Sequence, residues 1–169
     1  QIGVLIPKKT LLKDTEVQIK DKNGKPCKFI SVVCGKDYSL YQTLNKSRPT
    51  QSNLVYTYRY KNPLFLNLSG RIPKTLYGGK ETAAVIDNEG GIIIITRSVL
   101  SSPKAALEPC FLPENDKAAK VSCLDEFLLS LGTSGRVYEY SLVDSGKKKF
   151  MEVKELQGQK FVDVSGTFF

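Results

Sequence analysis

Four stretches of this 169-residue chain line up with one another at a period in the forties, and this repeat constrains the fold more than any other feature. They are Val33-Cys34-Gly35-Lys36-Asp37-Tyr38-Ser39-Leu40, Leu76-Tyr77-Gly78-Gly79-Lys80-Glu81-Thr82-Ala83, Val121-Ser122-Cys123-Leu124-Asp125-Glu126-Phe127-Leu128, and Val164-Ser165-Gly166-Thr167-Phe168-Phe169, with successive offsets of 43, 45 and 43 residues. Each of the first three runs on through a hairpin into a second apolar stretch: Val55-Tyr56-Thr57-Tyr58, Ile92-Ile93-Ile94-Ile95 and Val137-Tyr138-Glu139-Tyr140. No long segment carries a 3.6-residue apolar period. Short apolar runs instead alternate with Gly, Pro, Asn, Asp and Ser clusters, which predicts strands over 28–33, 39–44, 54–60, 74–77, 82–86, 92–96, 119–123, 127–131, 137–142 and 161–164. Helix fits only a short piece such as 105–107. Asp87-Asn88-Glu89-Gly90-Gly91 and Gly132-Thr133-Ser134-Gly135 read as hairpin turns in which glycine supplies positive φ.

Several short strands per forty-odd residues fit a β-propeller, in which neighbouring blades cover the two faces that one blade cannot bury alone. The expected fold is all-β: a partial propeller of about three blades plus the start of a fourth. The repeats divide at about 28–71, 72–116, 117–160 and 161–169, and residues 1–27 form an N-terminal strand or loop segment outside them. An isolated arc of this kind leaves a sheet edge and a blade face open. The expectation is that the chain is a fragment of a larger ring, its other blades coming from the same polypeptide or a partner.

The order of residues within the units resembles the repeat of the regulator-of-chromosome-condensation family: a small-residue turn with glycine, a polar pair, alternating apolar residues, a glycine-containing hairpin, then Val-Tyr. The third unit carries it furthest, through Phe127-Leu128-Leu129-Ser130-Leu131-Gly132-Thr133-Ser134-Gly135-Arg136-Val137-Tyr138. Where the family often has histidine, this chain reads Tyr38, Glu81, Glu126 and Phe169, and the family's Trp-Gly after Val-Tyr is replaced by Tyr58-Arg59 and Tyr140-Ser141. A kelch propeller, suggested by Gly78-Gly79, is the competing fold. Gly35, Gly78, Gly79 and Gly166 are read as structural glycines for tight turns or close packing near the ring centre. Tyr56 and Tyr138 are read as repeat core aromatics between blades.

The chemistry of catalysis is sparse. The chain has no histidine, which removes the commonest general base and every Ser-His-Asp or Cys-His arrangement. Carboxylate pairs (Asp125-Glu126, Asp87 with Glu89, Glu114 with Asp116) sit at turns and read as solvated surface. The four cysteines Cys27, Cys34, Cys110 and Cys123 form no C-x-x-C and read as reduced, mostly buried thiols. No catalytic residue, metal ligand or cofactor site is expected. The longest apolar run, Gly91–Ile95, is far short of the ~20 residues of a membrane helix, and residues 1–7 are interrupted too soon for a signal peptide.

The expected function is that of a non-enzymatic scaffold or adaptor that binds other proteins, in the cytoplasm, on the cytoskeleton or in the nucleus. A net charge of +8 suits acidic cytoskeletal or chromatin surfaces; nucleic acid is a weaker partner, because the lysines lack interleaved aromatics. The alternative, implied by one branch of the family, is nucleotide exchange on a small GTPase. The connections 44–53 and 98–116 exceed what a tight hairpin needs and are the candidate contact loops.

Overall fold

The computed structural model describes residues 19–20, 24–44, 53–59, 63–98, 106–144 and 148–166. Among them, alternating apolar runs pair into three antiparallel sheets. The first holds β1 (Lys28–Cys34), β2 (Tyr38–Leu44), β3 (Asn53–Tyr58) and β4 (Leu64–Phe65) in sequence order. The second holds β5 (Pro73–Gly78), β6 (Ala83–Asp87) and β7 (Ile92–Ile95). The third holds β8 (Ala118–Cys123), β9 (Phe127–Gly132), β10 (Val137–Ser141) and β11 (Met151–Glu152). β4 and β11 are two residues long, too short for alternation to mark them in the sequence. The first strands of successive sheets pack side by side, β1 on β5 and β5 on β8, so the sheets stand as consecutive blades.

Two repeated features fix how the blades correspond. The tip of each first hairpin closes with the same hydrogen bond: Gly35 N–H to Tyr38 O (3.0 Å), Gly79 N–H to Thr82 O (2.8 Å) and Leu124 N–H to Phe127 O (3.0 Å). Each first strand also carries a β-bulge at the same point, leaving Ile30, Lys74 and Ala119 unpaired. Equivalent residues therefore lie 44 and then 45 positions apart along the chain. The first interval is one residue longer than the sequence comparison gives, and in a strand one residue changes the face. The equivalents of Tyr38 are thus Thr82 and Phe127 rather than Glu81 and Glu126.

The central blade explains its own composition. Its β6 is buried at all five positions and Ile92, Ile93 and Ile95 are within 1% of full burial, because blades cover it on both sides. Toward the first blade, Ala83, Val85, Ile93 and Ile95 pack with Tyr38, Leu40, Leu54, Tyr56 and Tyr58. Toward the third, Ala84, Ile86 and Ile92 pack with Val121, Leu128, Tyr138, Tyr140 and Phe150. Each Val, Leu, Ile or Phe side chain among these contributes about 1.5–3 kcal/mol on burial. The predicted strand to residue 60 ends at Tyr58, where Arg59 takes a positive φ of 42°.

Two other expectations change. The piece proposed as helix is extended where described: Ala106 makes a parallel bridge to Asn67. Residues 161–164 lie where a fourth blade's first strand belongs but pair with no strand among the described residues. Phe161 N–H binds Gly135 O (2.8 Å) as Ala118 N–H binds Gly90 O (3.1 Å), and Val164 is buried on Leu131 and Val137.

Candidate interaction face

The first hairpin tips form a continuous row across the blades. Lys36 N–H donates to Lys80 O at 2.9 Å, and Lys80 Nζ reaches Asp125 Oδ2 at 3.0 Å. In the first and third blades the residue after the third strand closes onto the same tips: Arg59 N–H binds Asp37 O and Leu142 N–H binds Glu126 O, both at 2.8 Å. Arg59 and Arg97 occupy equivalent places in adjacent blades, and both stack on the buried Tyr58 ring, at 5.4 Å and 4.9 Å from its centroid. Arg59 also binds Asp37 Oδ2 at 2.9 Å, and this hydrogen bond holds the Asp37 carboxyl below its ordinary range. Arg97 is exposed and forms no ion pair among the described residues. The row thus presents alternating charge on a rigid frame, with two guanidinium groups pinned on one aromatic.

The predicted glycines sit beneath this row, at blade junctions. A Cβ on Gly79 would lie 2.6 Å from Cys123 O and 2.7 Å from Cys123 Cβ of the next blade. One on Gly35 would meet the Tyr38 ring and lie 2.6 Å from Gly79 O. Gly78 lies against Val33, and Gly166 against Leu124 (2.5 Å). Tyr56 (2% exposed) and Tyr138 (0%) are both core residues but are not equivalent: Tyr56 faces the second blade from one side and Tyr138 from the other. The true equivalents of Tyr138 are Ile93 and Val55.

Tyr38 supplies a buried polar link between the first two blades. Its hydroxyl lies 2.9 Å from Gly79 O and 2.8 Å from Thr82 O as donor, and accepts Gly79 N–H at 3.2 Å. Burial pushes its ionisation well above the ordinary tyrosine range. Tyr38→Phe is expected to cost about 1–2 kcal/mol in a denaturant titration, since it strands buried backbone groups while leaving the ring in place.

Two turn carboxylates, read as solvated from the sequence, are structural. Asp87, 1% exposed, accepts Glu89 N–H (2.9 Å) and Gly91 N–H (2.8 Å) and pairs with Arg71 (2.9 Å). Asp116 accepts from Ser134 N–H (3.2 Å), Thr133 Oγ1 (2.9 Å), Tyr138 Oη (3.0 Å) and Ser134 Oγ. Desolvation opposes its ionisation, but the bonds from Ser134, Thr133 and Tyr138 outweigh it and hold the carboxyl below its usual range.

Of the candidate contact loops, 45–52 lies outside the described residues. The described part of 98–116 is docked as the outer edge of the second blade, with Cys110 and Ile92 exchanging two 2.8 Å backbone bonds and Leu112 3% exposed. Cys123 is buried and its thiol pushed up to about 12 by desolvation, whereas Cys34 is exposed. Among the described residues no cluster of three or more His, Cys, Asp or Glu is placed to hold a metal ion, and no helix is long and apolar enough to cross a membrane.

No family model matches the chain, and no curated protein sequence matches it. Solved structures do. The crystal structure of human WBSCR16 is similar over 90% of this chain and 44% of that one, at 14% identity and a TM-score of 0.58. Yeast RCC1 (Prp20) in complex with Kap60 is similar over 82% of this chain and 40% of that one, at 12% identity and a TM-score of 0.55. Prp20p of Saccharomyces cerevisiae, described with its binding properties to Gsp1p and histones, is similar over 75% and 38%, at 10% identity and a TM-score of 0.50. The likeness shows the fold: the chain is built of β-propeller blades and spans about two-fifths of the length of the propellers it resembles.

Proposed function

We propose that this chain belongs to a non-enzymatic propeller of regulator-of-chromosome-condensation type repeats that binds other proteins in the cytoplasm or nucleus. The observation that carries this reading is the row of first hairpin tips with Arg59 and Arg97 held on Tyr58. Arginine anchored on an aromatic within a mixed-charge, backbone-rigid surface is the composition of a protein-recognition hot spot, where a few residues carry most of the binding energy. The fold agrees with it, since the similar Prp20 is described bound to Kap60 and in terms of its binding to Gsp1p and histones. Arg97 is the anchor of choice for an acidic partner group, because Arg59 is already engaged by Asp37.

The test is affinity capture at low and high salt with the wild-type chain and Arg97→Glu. The expected result is a partner retained by wild type and weakened by about tenfold or more in the variant, with unchanged far-ultraviolet circular dichroism. A partner held equally by both proteins places recognition elsewhere on the ring. Recovery of a small GTPase whose nucleotide release then accelerates replaces the scaffold reading by that of an exchange factor.

A further inference from the structure

Arg97 and Glu81 both belong to the second blade, which has a described blade on either side. The local backbone of each is held in place. A hydrogen bond between Thr96 Oγ1 and Ser98 Oγ (2.7 Å) spans Arg97, whose guanidinium carbon lies 4.9 Å from the centroid of the Tyr58 ring. Glu81 is exposed in a hairpin tip closed by Gly79 N–H to Thr82 O (2.8 Å) and tied to the first blade by Lys36 N–H to Lys80 O (2.9 Å). The two side chains act on the same neighbours. Burial lifts the ionisation of the Tyr56 hydroxyl to about 12, with Arg97 opposing that rise and Glu81 adding to it. Asp37 feels Arg59 first and then Lys36 and Arg97, while Arg59 feels Asp37 first and also Glu81. The cluster thus gathers Lys36, Arg59 and Arg97 with Asp37 and Glu81, three cations and two carboxylates, for a net charge of +1. Arg59 is already engaged by Asp37, which leaves Arg97 to face a ligand within electrostatic reach of Glu81. The third blade offers no such group, because Leu142 stands at the place of Arg59 and Arg97.

We propose that this site takes the side-chain carboxylate of an acidic peptide segment, and that Glu81 is the residue that turns a phosphoryl group away. The inference rests on the reading of Arg97 as an anchor for an acidic partner group, and names which acidic group it fits. A guanidinium presents two parallel N–H donors to a carboxylate, and the single charge of that carboxylate neutralises the cluster. A phosphoryl group carries close to two negative charges at neutral pH. Sites that take one gather several arginines around it. Here the second negative charge would meet Glu81 and Asp37 with no further guanidinium free to balance it, since Arg59 is held by Asp37.

Two capped tripeptides test it, acetyl-Gly-Glu-Gly-amide and acetyl-Gly-phosphoserine-Gly-amide. Each is titrated at neutral pH and low salt into the isotope-labelled chain while the backbone and side-chain N–H signals of Arg97 are followed by NMR. The expected result is that the glutamyl peptide moves these signals and the phosphoseryl peptide binds no tighter. That comparison on the wild-type chain decides the selectivity without any variant. Glu81→Gln, at an exposed position where the remaining amide signals should not change, should shift the ratio of the two affinities toward phosphoserine by about threefold or more. Arg97→Gln should abolish both responses. A phosphoseryl peptide that binds wild type several-fold tighter through Arg97 overturns the inference and leaves Arg97 standing as an acidic anchor. A ratio that Glu81→Gln leaves unchanged overturns it as well. Arg97 signals that neither peptide moves overturn both the inference and the anchor on which it rests.

Discussion

Gly79→Val is expected to lose at least about 3 kcal/mol of stability, a large share of the roughly 5–15 kcal/mol that holds a domain of this kind together. The reason is space rather than conformational freedom. The positions that a Cβ would invade are Cys123 O at 2.6 Å, Cys123 Cβ at 2.7 Å and Cys123 C at 3.1 Å, two of them backbone atoms of the next blade. That backbone is fixed by pairing of Cys123 with Leu128, so relief requires the second and third blades to separate. Separation would expose Tyr138, Leu128 and Ile92, all fully buried at that junction. The same residue anchors the other junction, through its N–H and its carbonyl, both bonded to the Tyr38 hydroxyl. Thermal unfolding followed by circular dichroism measures the effect. A Gly79→Val variant within about 1 kcal/mol of wild type would mean that the blades do not meet as described.

The strands themselves could be read from the sequence because alternation and glycine-bearing turns are local signals: nine of the observed strands lie within a residue or two of their predicted bounds. Which face each strand presents was harder. Tyr56 and Tyr138 look equivalent when Val-Tyr is matched to Val-Tyr. The connection after β2 is longer in the first blade than in the others, however, and Val55 is the residue in register with Tyr138. Nothing in the second blade exposes the slip, since four consecutive isoleucines suit either face of a sheet covered on both sides. The carboxylates were misread for a different reason. An acidic residue at a turn is usually solvated, and the groups that bind Asp116 come from Thr133, Ser134 and Tyr138, 17 to 22 residues further on. The pairing of Arg59 and Arg97 on Tyr58 is likewise invisible to a linear reading, because it joins two blades.

The sharpest consequence of the repeat lies in the second hairpins, where two blades solve one problem with different residues. Both turns carry glycine at the left-handed position, Gly90 (φ 88°) and Gly135 (φ 83°), and both leave a backbone N–H pointing inward, at Glu89 and its equivalent Ser134. In the second blade the carboxylate that accepts it is Asp87, paired with Arg71. In the third blade the equivalent of Asp87 is Gly132, and the equivalent of Arg71 is Asp116, which supplies the carboxylate from the opposite side. The exchange is enforced sterically: a Cβ on Gly132 would run into the Asp116 carboxylate.

Asp116→Ala should therefore cost about 2–4 kcal/mol, since it leaves Ser134 N–H and the buried Tyr138 hydroxyl without their acceptor. Gly132→Asp alone should also destabilise, by forcing two carboxylates together. Asp116→Arg with Gly132→Asp rebuilds the second blade's arrangement in the third and should recover at least about 1 kcal/mol relative to the sum of its parts in a double-mutant cycle. Acid titration gives an independent check. The Asp116 carboxyl is held below its unfolded value of about 3.9, so its contribution is present above that pH and is lost as pH falls through the folded value. Stability of Asp116→Ala should accordingly fall less steeply than that of wild type below about pH 4. Additive single effects, with parallel acid limbs, would show that the two turns are stabilised by something other than an exchangeable carboxylate.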